Sequence, residues 1–147
     1  MASFLSAGDI TSFKNDVETH FDTFKREITV HKEPIKNIVQ TTTNQMLGYQ
    51  EDSNIVDYTY TPRNQTFYAI IKYNIRGENL PIDNEIKVKF PDQFVEIKVQ
   101  EDARNYIDQD RTEKITFDGK SFNLVSSAIV KNYLGLSHYV YYLQETN

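Results

Sequence analysis

Apolar residues in this chain follow a helical period near the start, and a period of two in a short run after it and again from Thr66 almost to the end. Ile10, Phe13, Val17, Phe21 and Phe24 are spaced three or four residues apart, which places all five on one stripe of a helix. Asp9 is the expected N-cap, because its carboxylate can accept an orphan backbone N–H. Lys25 and Arg26 stand where they would complement the negative end of the helix dipole. The segment 6–26 therefore reads as one helix with an aromatic stripe to bury, on a sheet or on a neighbouring subunit.

The period then switches. Glu27-Ile28-Thr29-Val30-His31 alternates and is expected to end before Pro34. From Thr66 the alternation returns: Phe67, Ala69, Ile71, Tyr73 and Ile75, then Ile86, Val88 and Phe90, then Val95, Ile97 and Val99. Pro91 suits the second position of a turn joining the last two runs. Glu101–Arg111 reads as a polar connection holding one short helical turn. Asp118-Gly119 is a strong hairpin signal, since a type I′ turn needs positive φ at both central residues. Phe122 and Leu124 run back from it, Asn132–Gly135 makes a further break, and Tyr139–Leu143 forms the last strand.

Six or seven short strands and one helix define a mainly β protein, a small antiparallel barrel or sandwich. One domain is expected over 1–147, with the β core at 66–143. Residues 35–65 show no sustained period and read as a long loop or extended arm, in which Val56, Tyr58 and Tyr60 alternate. Loops of that length are often functional or are ordered by partners.

Composition narrows the chemistry. Acidic residues outnumber basic ones 21 to 16, giving a formal charge of −5, which argues against a general nucleic-acid binder. Tyr68, Tyr73, Tyr139, Tyr141 and Tyr142 could stack on bases. The only basic stripe, however, is Lys87, Lys89 and Lys98, interrupted by Glu85 and Glu96. The absence of cysteine excludes disulfides, thiol nucleophiles and cysteine zinc sites. His20, His31 and His138 lack metal-ligand spacing. Asp108-Gln109-Asp110 begins like a calcium loop without the glycine and closing glutamate. The five glycines are dispersed, and Ser126-Ser127 lacks the flanking glycines of a nucleophile elbow. No catalytic residue, cofactor or metal is expected, and the chain reads as a non-enzyme. The start carries no basic n-region or apolar run, so no secretory signal is expected; nothing approaches about 18 consecutive apolar residues, so no membrane span is expected either, and Asn64-Gln65-Thr66 reads as an accidental glycosylation match.

The stretch Val95–Ile107, followed by Asp110–Ser127 with its acidic residue, glycine, basic residue and aromatic at Asp118, Gly119, Lys120 and Phe122, resembles the head-closure proteins of tailed bacteriophages, also called stoppers or head–tail joining proteins. The tyrosine-rich final strand is similar too, so the resemblance spans about residues 66–143. The N-terminal helix and the 35–65 segment depart from shorter members of that family. The resemblance implies a structural virion protein at the neck, made in the host cytoplasm. It would form a homo-oligomeric ring on the order of six or twelve copies. The portal or its adaptor would lie on the head side and the tail terminator or tail tube on the other. Packaged DNA would pass without sequence-specific binding. A tail terminator, tail-completion or baseplate protein is the alternative.

Two candidate surfaces follow. Phe13, Val17, Phe21, Tyr49, Tyr58 and Tyr60 form the expected assembly surface. The loop carrying Arg76, Gly77, Glu78 and Asn79 is the candidate channel or gating loop, with Glu101–Arg111 as the next choice.

Overall fold

A computed structural model describes residues 4–40, 56–75 and 94–146. In chain order these form α1 (Ala7–Phe24), β1 (Arg26–Gln40), β2 (Val56–Ile75), β3 (Phe94–Val99), α2 (Glu101–Gln109), β4 (Thr112–Phe117), β5 (Lys120–Leu124), β6 (Ile129–Tyr133) and β7 (Leu136–Glu145). The expected mainly β architecture with one N-terminal helix is present. Every strand pairing is antiparallel.

Six strands close on themselves in the order β1, β2, β3, β7, β5, β4 and back to β1, and β6 pairs with β7 outside that circuit. β7 makes closure possible because it is long enough to use both edges. One edge takes β3 from Tyr139 to Gln144. The other takes β6 as far as Val140 and β5 from Leu143 onward. Between them the β7 backbone is satisfied by Val125 N–H, which donates to the Tyr142 carbonyl at 3.0 Å, and by Ser126 Oγ, which accepts from Tyr142 N–H at 2.8 Å. Within the circuit each strand has a neighbour on both sides, so closure removes the edges an open sheet would leave there.

Alternation sends Ile28 and Val30 of β1, Ala69 of β2, Ile97 and Val99 of β3, Ile115 and Phe117 of β4, Phe122 of β5 and Tyr141 and Leu143 of β7 into one core. Phe117 and Phe122 stack face to face at 4.1 Å beside the β4–β5 hairpin. Helix α2 contributes Ala103 and Ile107 to the same cluster. Its nine residues replace the single helical turn expected over Glu101–Arg111, because Ala103, Tyr106 and Ile107 recur on one face and pack against the strands. The ring is filled with side chains and is not itself a pore.

Helix α1 lies on the outer face, over Ile70 of β2, Lys98 of β3 and His138 of β7. Its N-cap is Ser6, not Asp9. Ser6 Oγ accepts from Asp9 N–H at 3.2 Å and Asp9 Oδ2 accepts from Ser6 N–H at 3.0 Å, a reciprocal capping box. At the other end Lys25 binds Asp22 at 2.8 Å and Arg26 binds Asp118 at 2.5 Å. Those cations thus serve side chains rather than the helix dipole.

Strand β1 continues through Pro34 to Gln40, contrary to the expected stop, and β2 begins at Val56 rather than near Thr66. A register shift between Lys32 and Ile35 takes Pro34 out of the ladder, a bulge being one place where a strand tolerates a residue without an N–H. Much of the segment expected to be irregular is therefore a two-stranded ribbon. β6 is a strand that the sequence reading did not foresee, and Leu134-Gly135, at φ +52° and +96°, turns it into β7. The expected strand at Ile86–Phe90 lies outside the described residues.

Asp118 and Gly119 have φ +52° and +74°, as the hairpin expectation required. A Cβ at Gly119 would meet no heavy atom within 4 Å, so only backbone strain opposes substitution there. Gly119→Val should therefore cost about 1–2 kcal/mol and Gly119→Asn much less, as read from denaturant midpoints. Equal midpoints for the two variants would contradict this account.

Candidate assembly surface

At the place where β1 leaves the ring, Lys32 follows Ile28 and Val30 at alternate positions and so points inward. It is only 3% exposed. Its ammonium donates to the Ile107 carbonyl at 2.7 Å, the Asp110 carbonyl at 2.6 Å and Thr112 Oγ1 at 3.1 Å. All three protons are used, and the carbonyls are those left open at the C-terminal end of α2. Burial lowers the Lys32 pKa from its usual value, opposed by Asp110 and reinforced by Arg63. Arg63, across the ribbon, donates from Nε and Nη2 to the Glu33 carbonyl and from Nη1 to Asp110 Oδ2 at 2.9 Å. The bulge at Pro34 is thereby tied to both the ring and α2.

Beyond that root, residues 35–40 and 56–61 pair only with each other among the described residues. In this register Lys36 faces Tyr60 and Ile38 faces Tyr58, so one face carries Ile38, Tyr58 and Tyr60, with Lys36 Nζ lying 3.5 Å over the Tyr58 ring. The opposite face carries Ile35 and Val39, with Asn37 donating to Thr61 Oγ1 at 3.0 Å. Ile38 is 64% and Tyr60 61% exposed. Isolated two-stranded ribbons are marginal in water. Complete burial of one such side chain is worth about 1.5–3 kcal/mol, so cover by a partner would outweigh any stability intrinsic to the ribbon.

A second uncovered apolar surface lies on α1. Of the expected stripe only Phe21 is buried; Phe13 and Phe24 stay exposed, and Ile10 and Val17 are partly covered. His20 packs against Phe24 at 4.9 Å between ring centres. On the same side of the helix, between α1 and the outer face of the ring, is a cavity of about 320 Å³ lined mainly by apolar atoms, with Asp16, His20, Lys98, Tyr133 and His138 in its wall. His138 is 2% exposed, rests 5.1 Å from the Phe21 ring, and its Nε2 has no hydrogen-bond partner. Burial lowers its pKa, the nearby Lys98 ammonium adds to that, and Glu18 opposes it. Lys98 Nζ donates to the Tyr133 hydroxyl at 3.1 Å.

The predicted surface residues are thus not one patch. Tyr58 and Tyr60 share the ribbon; Phe13, Val17 and Phe21 share the helix, with Phe21 already used within the chain. Tyr49 lies outside the described residues, as do Arg76, Gly77, Glu78 and Asn79 of the candidate gating loop. The alternative, Glu101–Arg111, is α2 and the two residues after it; Ala103 and Ile107 are buried in the core, while Glu101, Asp102, Asn105 and Asp108–Arg111 are exposed. Sequence reasoning missed Lys32, Arg63 and the pairing of His20 with His138 around one cavity. Lys32 carried a readable signal, a lysine in step with Ile28 and Val30. No group of three or more His, Asp or Glu side chains arranged to hold a metal occurs among the described residues. No helix among them is long and apolar enough to cross a membrane. Compared with protein-family models, curated proteins and solved structures, the chain matches none.

Lys32→Met keeps the apolar stem but strips the α2 carbonyls of their donor, and should lower stability by about 1–3 kcal/mol. An unchanged denaturation midpoint would contradict the role given to this ammonium. His138 is held neutral in the folded chain, so the unfolded chain takes up its proton first as pH falls. Its contribution is complete above about pH 6.5 and is lost progressively below that. Stability measured between about pH 7 and pH 5 should fall more steeply for the native chain than for His138→Phe. Equal slopes would show that His138 is not held in this way.

Proposed function

We propose that this chain is a structural virion protein of a tailed bacteriophage, a head-closure or head–tail connector subunit. Copies would assemble into a ring that seals the portal channel after DNA packaging and receives the tail. The carrying observation is the ribbon of residues 35–40 and 56–61, which exposes large apolar side chains on both faces and has no cover within the described chain. Contiguous apolar surface of this kind marks an interaction site. Two further features support the reading. The strand ring is filled, so any passage for DNA must lie between copies. The net charge of −5 suits a channel wall that repels phosphate rather than holding it.

In this assignment the chain sits at the neck of the virion. The portal or its adaptor is the partner on the head side, and the tail terminator or tube on the other. The test combines the full chain with DNA-filled heads that lack it. The native chain should form ring-shaped oligomers and retain the DNA. The double substitution Ile38→Asp with Tyr58→Asp should leave the fold intact, abolish the rings and let the heads leak. Rings that form on tail tubes and leave leakage unchanged would favour the tail-terminator reading instead. A chain that stays monomeric with heads and with tubes would overturn both.

A further inference from the structure

We propose that Pro34 and Pro62 form a joint between the ring and the ribbon, and that Arg63 is the catch that fixes its angle. The joint belongs to the single chain and does not depend on what covers the ribbon.

The β1–β2 ladder shifts register at the root of the ribbon. Lys32 lies across from Arg63 and Ile35 across from Thr61, which leaves Glu33 and Pro34 facing Pro62 alone. Two residues against one is the count of a bulge. Neither proline has an N–H to give. The Glu33 N–H is turned the other way and donates to the Arg111 carbonyl, just ahead of β4, at 3.3 Å. None of these three residues therefore donates a backbone hydrogen bond across the break.

A side chain stands in for the missing rung. Arg63 Nε and Nη2 donate to the Glu33 carbonyl at 3.2 and 2.9 Å, and Nη1 donates to Asp110 Oδ2 at 2.9 Å. The planar guanidinium can serve both acceptors at once, which an ammonium could not do in this geometry. Glu33 is thus held from two sides, by the ring through Arg111 and by β2 through Arg63. Lys32 takes the Asp110 backbone carbonyl and leaves the carboxylate to orient Arg63.

The last residues anchored to the body are Glu33 and Arg63, and the first pair of the ribbon is Ile35 with Thr61. One proline on each strand separates them. Each fixes its own φ and confines the residue before it to extended backbone, so the freedom left lies chiefly in the ψ angles of the two prolines. A joint of that kind moves the ribbon as one body, as hinges confined to a few residues do. A rung made by a side chain can open without unpairing either strand. The angle it fixes decides where Ile38, Tyr58 and Tyr60 are presented.

The chain has no cysteine, so spin labels on engineered cysteines report without interference. Labels at Thr59→Cys and Lys131→Cys measure ribbon against ring by double electron–electron resonance. Labels at Asn37→Cys and Thr59→Cys, a cross-strand pair, show by dipolar broadening whether the ribbon stays paired. With Arg63 in place the ribbon-to-ring distances should form one narrow population. Arg63→Met should spread that population while the cross-strand broadening is kept. Asp110→Asn, which spares the carbonyl that Lys32 binds, should act in the same direction but less. An unchanged ribbon-to-ring distribution in Arg63→Met, or in Asp110→Asn should the first variant fail to fold, would remove the catch, and so would a broad distribution with Arg63 in place. Loss of the cross-strand broadening together with the spread would mean that the ribbon frays instead of swinging, and would overturn the joint.

Discussion

The Lys32 ammonium has left water without gaining a carboxylate at contact distance. Three neutral oxygens replace its hydration shell, two of them carbonyls at the end of α2 and the third the Thr112 hydroxyl. Burying a cation is expensive unless every proton is used and the surrounding dipoles point the right way. A helix C-terminus supplies such dipoles ready made. One side chain therefore joins three things: the filled ring, the helix packed into its core, and the point where β1 and β2 leave the ring as a ribbon. Arg63 repeats the device from the other strand, binding the Glu33 carbonyl and Asp110. Without that root the ribbon would be two strands held by little besides their own ladder.

From this follows a division between a closed body and the surfaces it displays. The ring has its inner positions occupied and its circuit of strands complete, so its own needs are met. Among the described residues, two of the uncovered apolar surfaces are the ribbon and the shoulder of α1, different in shape and well separated along β2. A molecule with two unlike apolar surfaces is suited to repeating contacts with copies of itself. On the proposed reading, the passage for DNA belongs to the assembly, and the acidic surface of each copy limits how firmly phosphate can be held there.

Much of the fold was legible because the ring strands pack one face inward, which imposes a period of two, and because the Asp118-Gly119 turn demands positive φ. The Phe stripe of α1 was equally visible, but its full burial was not a safe deduction: only Phe21 reaches the ring. The long ribbon was obscured for a physical reason. Its strands are solvated on both faces and buried on neither, so Ile35, Ile38 and Val39 of β1 and Tyr58 and Tyr60 of β2 carry no inside-outside pattern to read. Pro34 reinforced the error, since a bulge hides what would otherwise be a strand break. The cavity could not have been found from spacing. His20 and His138 are far apart in sequence, and they line one cavity only because α1 lies over the outer face of the ring.

The central claim is that the ribbon is an assembly element whose stability comes largely from neighbouring copies. Amide hydrogen exchange across residues 35–40 and 56–61 tests it most directly, comparing the isolated chain with the assembled form and using the β3 and β7 amides as an internal reference. The account expects ribbon amides to exchange far faster than those of β3 and β7 in the isolated chain, and to gain protection approaching theirs on assembly. Ribbon amides equally protected in both forms would contradict it.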